Sequence, residues 1–159
     1  MKVLRGVNRG STKAAEVVMV VFALVMVLSC FAQICTRLAK VPLSWSEELA
    51  RYMAVWLTFV GAAYALRKSG LATVEILYQR LHGIKKKALY VIISIMILLF
   101  CAVLIYFGFA FSMKFMGQQS PALKIPKGLV YLSAPISGIL MALYQLEILI
   151  DTVGKGEAG

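Results

Sequence analysis

Four long apolar runs, set apart by charged or Pro/Gly-bearing segments, limit this chain more than any other feature. The uncharged runs cover residues 17–36, 52–66, 88–113 and 128–146. As helices they span roughly 30, 22, 39 and 28 Å. A hydrocarbon core about 30 Å thick takes about 20 helical residues to cross, so three runs qualify unaided. The second qualifies only if its charged head belongs to the same helix. A water-soluble four-helix bundle needs polar outer faces, and these runs are apolar all round. Hydrophobic residues make up 61% of the 159, above the roughly 45–50% of soluble domains. The expected fold class is all-α integral membrane, one domain of four transmembrane helices over residues 14–36, 45–67, 88–113 and 129–150.

The net charge of +10 would suggest nucleic acid in a soluble protein. Here the cations flank apolar runs, so they report orientation and not nucleic-acid binding. Lys and Arg gather on the cytoplasmic side of short connections. The N-terminal arm, the 67–87 connection and the tail hold eleven of the 17, among them Lys2, Arg5, Arg67, Lys68 and the triplet at 85–87. The other two connections hold six: Arg37, Lys40, Arg51, Lys114, Lys124 and Lys127. Both termini are expected in the cytoplasm (N-in/C-in). A basic start before an apolar run also resembles a signal peptide. This run is too long for one, and an uncleaved first helix is expected.

Local signals refine the plan. Residues 1–13 read as a basic, Gly-bearing arm, with Glu16 in the first turn of helix one, where a carboxylate suits the helix dipole. Ser44 and Glu47 fit a capping box, so helix two is expected to start at Trp45. Its outer turns then carry Glu47, Glu48 and Arg51. Glu47 and Arg51 lie four apart on one face in the favourable order. Leu71, Val74, Leu77, Tyr78 and Leu81 share one helical face, which predicts a short amphipathic interfacial helix over 71–82. Pro121 and Pro126 predict a rigid, non-helical path between helices three and four. Ala134, Gly138 and Ala142, Gly61 and Ala65, and Gly108 and Ser112 recur at four-residue spacing. Such repeats suit close helix contacts, and they also suit ordinary bilayer composition.

Catalytic chemistry is not expected. The chain has one histidine, His82, no phosphate-binding glycine loop and no carboxylate pair deep in a helix. Cys30, Cys35 and Cys101 fall in apolar runs and lack metal-ligand spacing to a histidine. No metal or other cofactor is expected. Ionisable residues at mid-membrane depth mark transport routes; here the charges sit at helix ends or in connections. Only Ser29, Gln33, Thr58, Tyr64, Ser94, Tyr106 and Ser137 read as polar within the helices. The chain is therefore not expected to move a solute by itself.

The segment WSEELARYMAVWLTFVGAAYALRKSG (45–70) resembles the hallmark of the small membrane subunit of tripartite ATP-independent periplasmic (TRAP) transporters, the DctQ family. Glu47, Glu48, Arg51, Trp56, Gly61 and Ala62 fall at its acidic, basic, aromatic and small positions. The segment SPALKIPKGLVYLSAPISGILMAL (120–143) resembles the family's turn into the last helix. The resemblance covers residues 14–150. It implies three partners: a large solute-moving membrane subunit, a periplasmic substrate-binding protein and the lipid bilayer. It implies sodium-coupled uptake of an organic acid, such as a C4-dicarboxylate or a sialic acid, with this chain as scaffold. Under it, Glu47, Glu48, Arg51, Trp56 and Gly61 are candidate partner contacts. Arg37, Lys40, Lys114, Lys124 and Lys127 are candidates for receiving the binding protein. Plain intrahelical pairing of Glu47 with Arg51, and plain topology for the cations, stand beside these. Two other classes stay open: a proton-coupled four-helix multidrug exporter, with Glu16 its only candidate carboxylate, and a purely structural four-helix membrane protein.

Overall fold

Backbone groups in lipid find no water to bind, so each apolar run must satisfy its own N–H and C=O groups as helix. The computed structural model describes residues 2–41, 43–69 and 84–155. Its helices are α1 (Lys2–Leu38), α2 (Ser44–Ser69), α3 (Ile84–Phe115), the single turn α4 (Gly128–Tyr131) and α5 (Ser133–Lys155). Among the described residues, four spans are long and apolar enough to cross a membrane: Gly10–Leu38, Ser44–Lys68, Ala88–Phe115 and Gly128–Ile150. The interfacial helix expected over 71–82, with His82, lies outside the described residues.

Two expectations change at the chain's beginning. The arm over 1–13 is helical from Lys2. Glu16 therefore sits about four turns into α1, exposed, and no longer at the helix dipole. The glycines of the arm each cost about 1 kcal/mol of helix propensity relative to alanine. Tertiary contacts of Asn8 and Ser11 offset this, because both bind α5. Helix α1 ends in a Schellman turn. The Lys40 N–H reaches Arg37 O at 3.1 Å and the Val41 N–H reaches Thr36 O at 3.0 Å, with Lys40 at φ 60°.

Helix α2 starts one residue earlier than the capping box suggests. The hydroxyl that binds backbone there is Ser46, whose Oγ donates to Leu43 O at 2.9 Å. The last span is broken where one helix was expected. Pro135 has no N–H to offer Tyr131 O, so the helical ladder lapses at Leu132. The Ser133 hydroxyl takes up part of the loss, donating to Val130 O at 2.7 Å. Between α3 and α4 the chain is non-helical, as the prolines predict. A bridge pairs Gln119 with Pro126, and the Ser120 N–H meets Ile125 O at 2.9 Å.

The helices form a row, α1 on α2, α2 on α5 and α5 on α3. Helix α5 is central: 39% of its span is buried, against 6% for α1. Helices α2 and α5 run in the same direction. The head of α2 meets residues 122–123 just ahead of α5, and Arg67 near its end meets Glu147 near the end of α5. The end carrying connections 39–43 and 116–127 is termed the loop side, and the opposite end the tail side.

Small residues seat α3 against α5. A Cβ on Gly108 would lie 2.7 Å from Pro135 Cδ, and one on Gly138 would lie 3.0 Å from Ile105 Cγ1. Gly61 is different: a Cβ there would meet Met19 Sδ of α1 at an ordinary 3.7 Å. The four-residue repeats thus mark close approach between α3 and α5 and not at Gly61. Gly108→Ala is expected to lower the midpoint of thermal unfolding in detergent by several degrees, a cost of about 1–3 kcal/mol for overpacking. Gly61→Ala is expected to leave it level or raise it. Equal behaviour of the two variants would refute this difference.

Candidate functional site

Each end of the α2–α5 pair is fastened by a carboxylate. On the loop side, the first turns of α2 place Glu48 beneath the 120–123 turn. Its Oε2 accepts the backbone N–H groups of Ala122 at 3.0 Å and Leu123 at 2.9 Å. Its Oε1 accepts the Tyr52 hydroxyl at 2.9 Å. Pro121 cannot donate, so the two N–H groups after it are the first this turn can offer. The two sequence segments that carry the family resemblance therefore bind each other through one carboxylate.

On the tail side, Glu147 of α5 is 6% exposed. Arg67 of α2 meets it with two contacts, Nη1 to Oε2 at 2.8 Å and Nη2 to Oε1 at 3.1 Å. This fork is the strong form of a charged hydrogen bond. Asn8 of α1, fully buried, donates from Nδ2 to Glu147 Oε2 and to Leu143 O, the latter at 3.2 Å. The Arg67 guanidinium lies 5.7 Å from the Tyr144 ring centroid, and the Tyr144 hydroxyl reaches Ser11 Oγ at 3.1 Å. One carboxylate thus joins three helices. Glu48 and Arg67 are nineteen residues apart on α2, or roughly 28 Å. That spacing is close to the thickness of a hydrocarbon core, about 30 Å.

Further polar contacts join α3 to the last span. Gln145 Nε2 donates to Ser94 Oγ at 2.9 Å, buried, and Ser112 Oγ donates to Gly128 O at 2.8 Å.

The residues singled out from sequence divide among these features. Glu47 and Arg51 are both largely exposed and lie 3.7 Å apart, a weak intrahelical pair. Glu48 is the clasp just described. Trp56 packs edge-on against Phe22 of α1, centroids 5.9 Å apart, and Gly61 also faces α1. Arg37, Lys40, Lys114 and Lys124 are exposed. Lys127 is half-buried and, with Glu48, Arg51 and Tyr52, lines a cleft between α2 and α4–α5. Sequence reading missed the tail-side cluster. Arg67 read as a connection charge, Asn8 as part of the basic arm, and Glu147 as one of the charges at a helix end. The usable signal was the rule that an ionisable residue in a membrane helix has a partner. Gln145, inside the fourth apolar run, was overlooked in the same way.

Glu147→Ala leaves Arg67 and Asn8 without their acceptor. It is expected to destabilise by about 3 kcal/mol, the lower end of what breaking a buried pair costs, because the Arg67 side chain keeps 25% exposure. Combining it with Arg67→Met is expected to recover much of that loss in detergent unfolding; a double variant no better than the single one would refute the pairing. Glu48→Gln is expected to lower the unfolding midpoint more than Glu47→Gln does, since only Glu48 holds the 120–123 turn. Equal shifts would remove the clasp from any stabilising role.

Comparison with known proteins places these segments. Residues 26–154 match the family described as tripartite ATP-independent periplasmic transporters, DctQ component. The chain is 26% identical over 151 residues to a Haemophilus influenzae protein described as a TRAP transporter small permease, covering 94% of each. It is 29% identical over 124 residues to the C4-dicarboxylate TRAP transporter small permease protein DctQ of Rhodobacter capsulatus, covering 77% of this chain and 55% of that protein. It is 27% identical over 111 residues to the isethionate TRAP transporter permease protein DctMQ of Oleidesulfovibrio alaskensis, covering 69% of this chain and 18% of that one.

Proposed function

Since the chain belongs to the DctQ family of small TRAP transporter permease components, we propose that it is the scaffold subunit of a sodium-coupled, binding-protein-dependent transporter for an organic acid. One observation carries this reading. Two carboxylates inside the described spans, Glu147 and Glu48, are spent on holding the fold together, while Glu16 of α1 is exposed. Glu147 is gripped by Arg67 and Asn8, and Glu48 by two backbone N–H groups and a tyrosine hydroxyl. A carboxylate that serves a proton or solute must exchange partners during turnover. These two are fixed by their geometry.

The row of helices supports a partner beside it. Helix α3 exposes a continuous apolar surface that includes Met96, Leu99, Phe100 and Phe107, and α1 exposes another at the opposite flank. Such faces suit lipid on one side and a large membrane subunit on the other. The DctMQ relative matches this chain over only 18% of its own length, which fits a small unit working with a much larger one. The substrates named for the relatives, a C4-dicarboxylate and isethionate, are both small organic anions, and an organic acid is the class proposed here.

The excess of Lys and Arg toward the tail side supports an orientation with both termini in the cytoplasm and the loop side in the periplasm. Arg37, Lys40, Lys114 and Lys124 then form an exposed cationic surface toward the binding protein. Exposed charges of this kind act mainly on association rate and are screened by salt.

The chain alone in proteoliposomes is expected to take up no C4-dicarboxylate under a sodium gradient, and to co-purify one to one with a large membrane subunit. Uptake by the chain alone would overturn the scaffold reading. Reporters fused after Gly159 and within residues 115–120 are expected to read opposite sides of the membrane. Lys114→Ala with Lys124→Ala is expected to slow binding-protein association at low salt and to matter little at high salt.

A further inference from the structure

Between the first half of α2 and the segment leading into α5 lies a cleft of about 570 Å³, within the size range of small-molecule sites. Its walls are graded in the same sense. On α2, Arg51, Val55 and Phe59 recur every four residues and so share one face, cation first and apolar after. On the other wall Lys127 comes first, then Val130, Tyr131 and Ala134. Because α2 and α5 run in the same direction, both walls change from charged at the loop side to apolar at depth. A shallower hollow of about 440 Å³ shares Glu48, Arg51 and Pro121 with the cleft.

The charges there are not equally free. Glu48 is occupied by Ala122, Leu123 and Tyr52. Among the described residues, the ion pair of Arg51 is the exposed 3.7 Å contact with Glu47. Lys127 takes part in no ion pair found among the described residues. Two available cations stand at the edge of the membrane span, above an apolar slot that enters it.

We propose that this cleft binds one phospholipid of the loop-side leaflet. Its phosphate sits between Arg51 and Lys127, and one acyl chain runs along Val55, Phe59, Val130 and Ala134. Charge complementarity and depth select this occupant. A phosphate is matched by cations at headgroup level, and a chain that leaves it toward the bilayer centre meets mostly apolar side chains, with the Ser133 hydroxyl turned to Val130 O. An acidic soluble ligand would leave the apolar slot unfilled, and an apolar helix from a partner would leave both cations without a counter-charge. The inference goes beyond the scaffold role and does not depend on which solute the transporter carries.

The test is native mass spectrometry of the full chain in mild detergent, titrated with palmitoyl-oleoyl phosphatidylethanolamine, phosphatidylglycerol and, as a phosphate-free control, the matching diacylglycerol. One phospholipid per chain is expected, with diacylglycerol bound far more weakly. Arg51→Ala with Lys127→Ala is expected to weaken phospholipid binding roughly tenfold or more, as loss of charged hydrogen bonds does. Val55→Trp, which fills the slot and keeps both cations, is expected to weaken it as well, while Lys114→Ala is not. Circular dichroism and unfolding midpoints check that each variant is folded. Should Val55→Trp fail to fold, the double alanine variant and the diacylglycerol control decide. Equal retention in every variant, or equal affinity for diacylglycerol, would show only annular lipid and overturn the proposal. Cross-links from position 55 to the large subunit in the assembled complex would overturn it too, by giving the cleft a protein occupant.

Discussion

A carboxylate in an apolar helix near the membrane edge has to be paired, and most of this architecture is arranged around that requirement at Glu147. Arg67 satisfies both oxygens in a fork, which fixes how far α2 extends alongside α5. Asn8 adds a donor from α1, which explains why α1 is helical through a stretch whose glycines and charges argue for a loose arm. With α2 and α5 held parallel at one end, their other ends fall side by side. There Glu48 meets the N–H groups of Ala122 and Leu123. The spacing between the two fastenings is close to the thickness of a hydrocarbon core. Each charge can thus be strong without standing at the bilayer centre, where its desolvation would be most costly.

Helix α3 is attached by different means. Lipid supplies little hydrophobic drive between membrane helices, so contact depends on close fit and on hydrogen bonds. Gly108 and Gly138 bring α3 onto α5, and the Gln145–Ser94 and Ser112–Gly128 bonds set its register. Pro135 serves both purposes. It breaks the helical ladder between α4 and α5, and its ring occupies the space that the missing side chain of Gly108 leaves.

The sharing of duties among the hallmark residues is also physical. Of the polar residues at the head of α2, Glu48 binds backbone, while Glu47 and Arg51 are exposed and paired only loosely, Arg51 at the mouth of the cleft. Trp56 and Gly61 turn to α1. A single helical segment thereby contacts α1 on one face, the 120–123 turn on another, and leaves a graded cleft between. That arrangement is the basis of the proposed scaffold role: polar groups hold the helices of this chain in place, and apolar flanks remain for neighbours.

Local chemistry was enough to read the four spans, the charged head of α2, the proline-bound loop and the Glu47–Arg51 pair, because each depends on periodicity, composition or neighbours four residues apart. The two hallmark segments were recognisable for the same reason. Partnerships across the fold were not legible. Nothing near Glu147 in the chain announces Arg67, eighty residues away, or Asn8 still farther off, and nothing near Glu48 announces Ala122. Sequence alone determined that the chain forms apolar helices, since a backbone in lipid has no other way to satisfy its polar groups. Only the tertiary structure decided the order of those helices and the use of their charges, since a buried carboxylate takes whichever donors packing brings within reach.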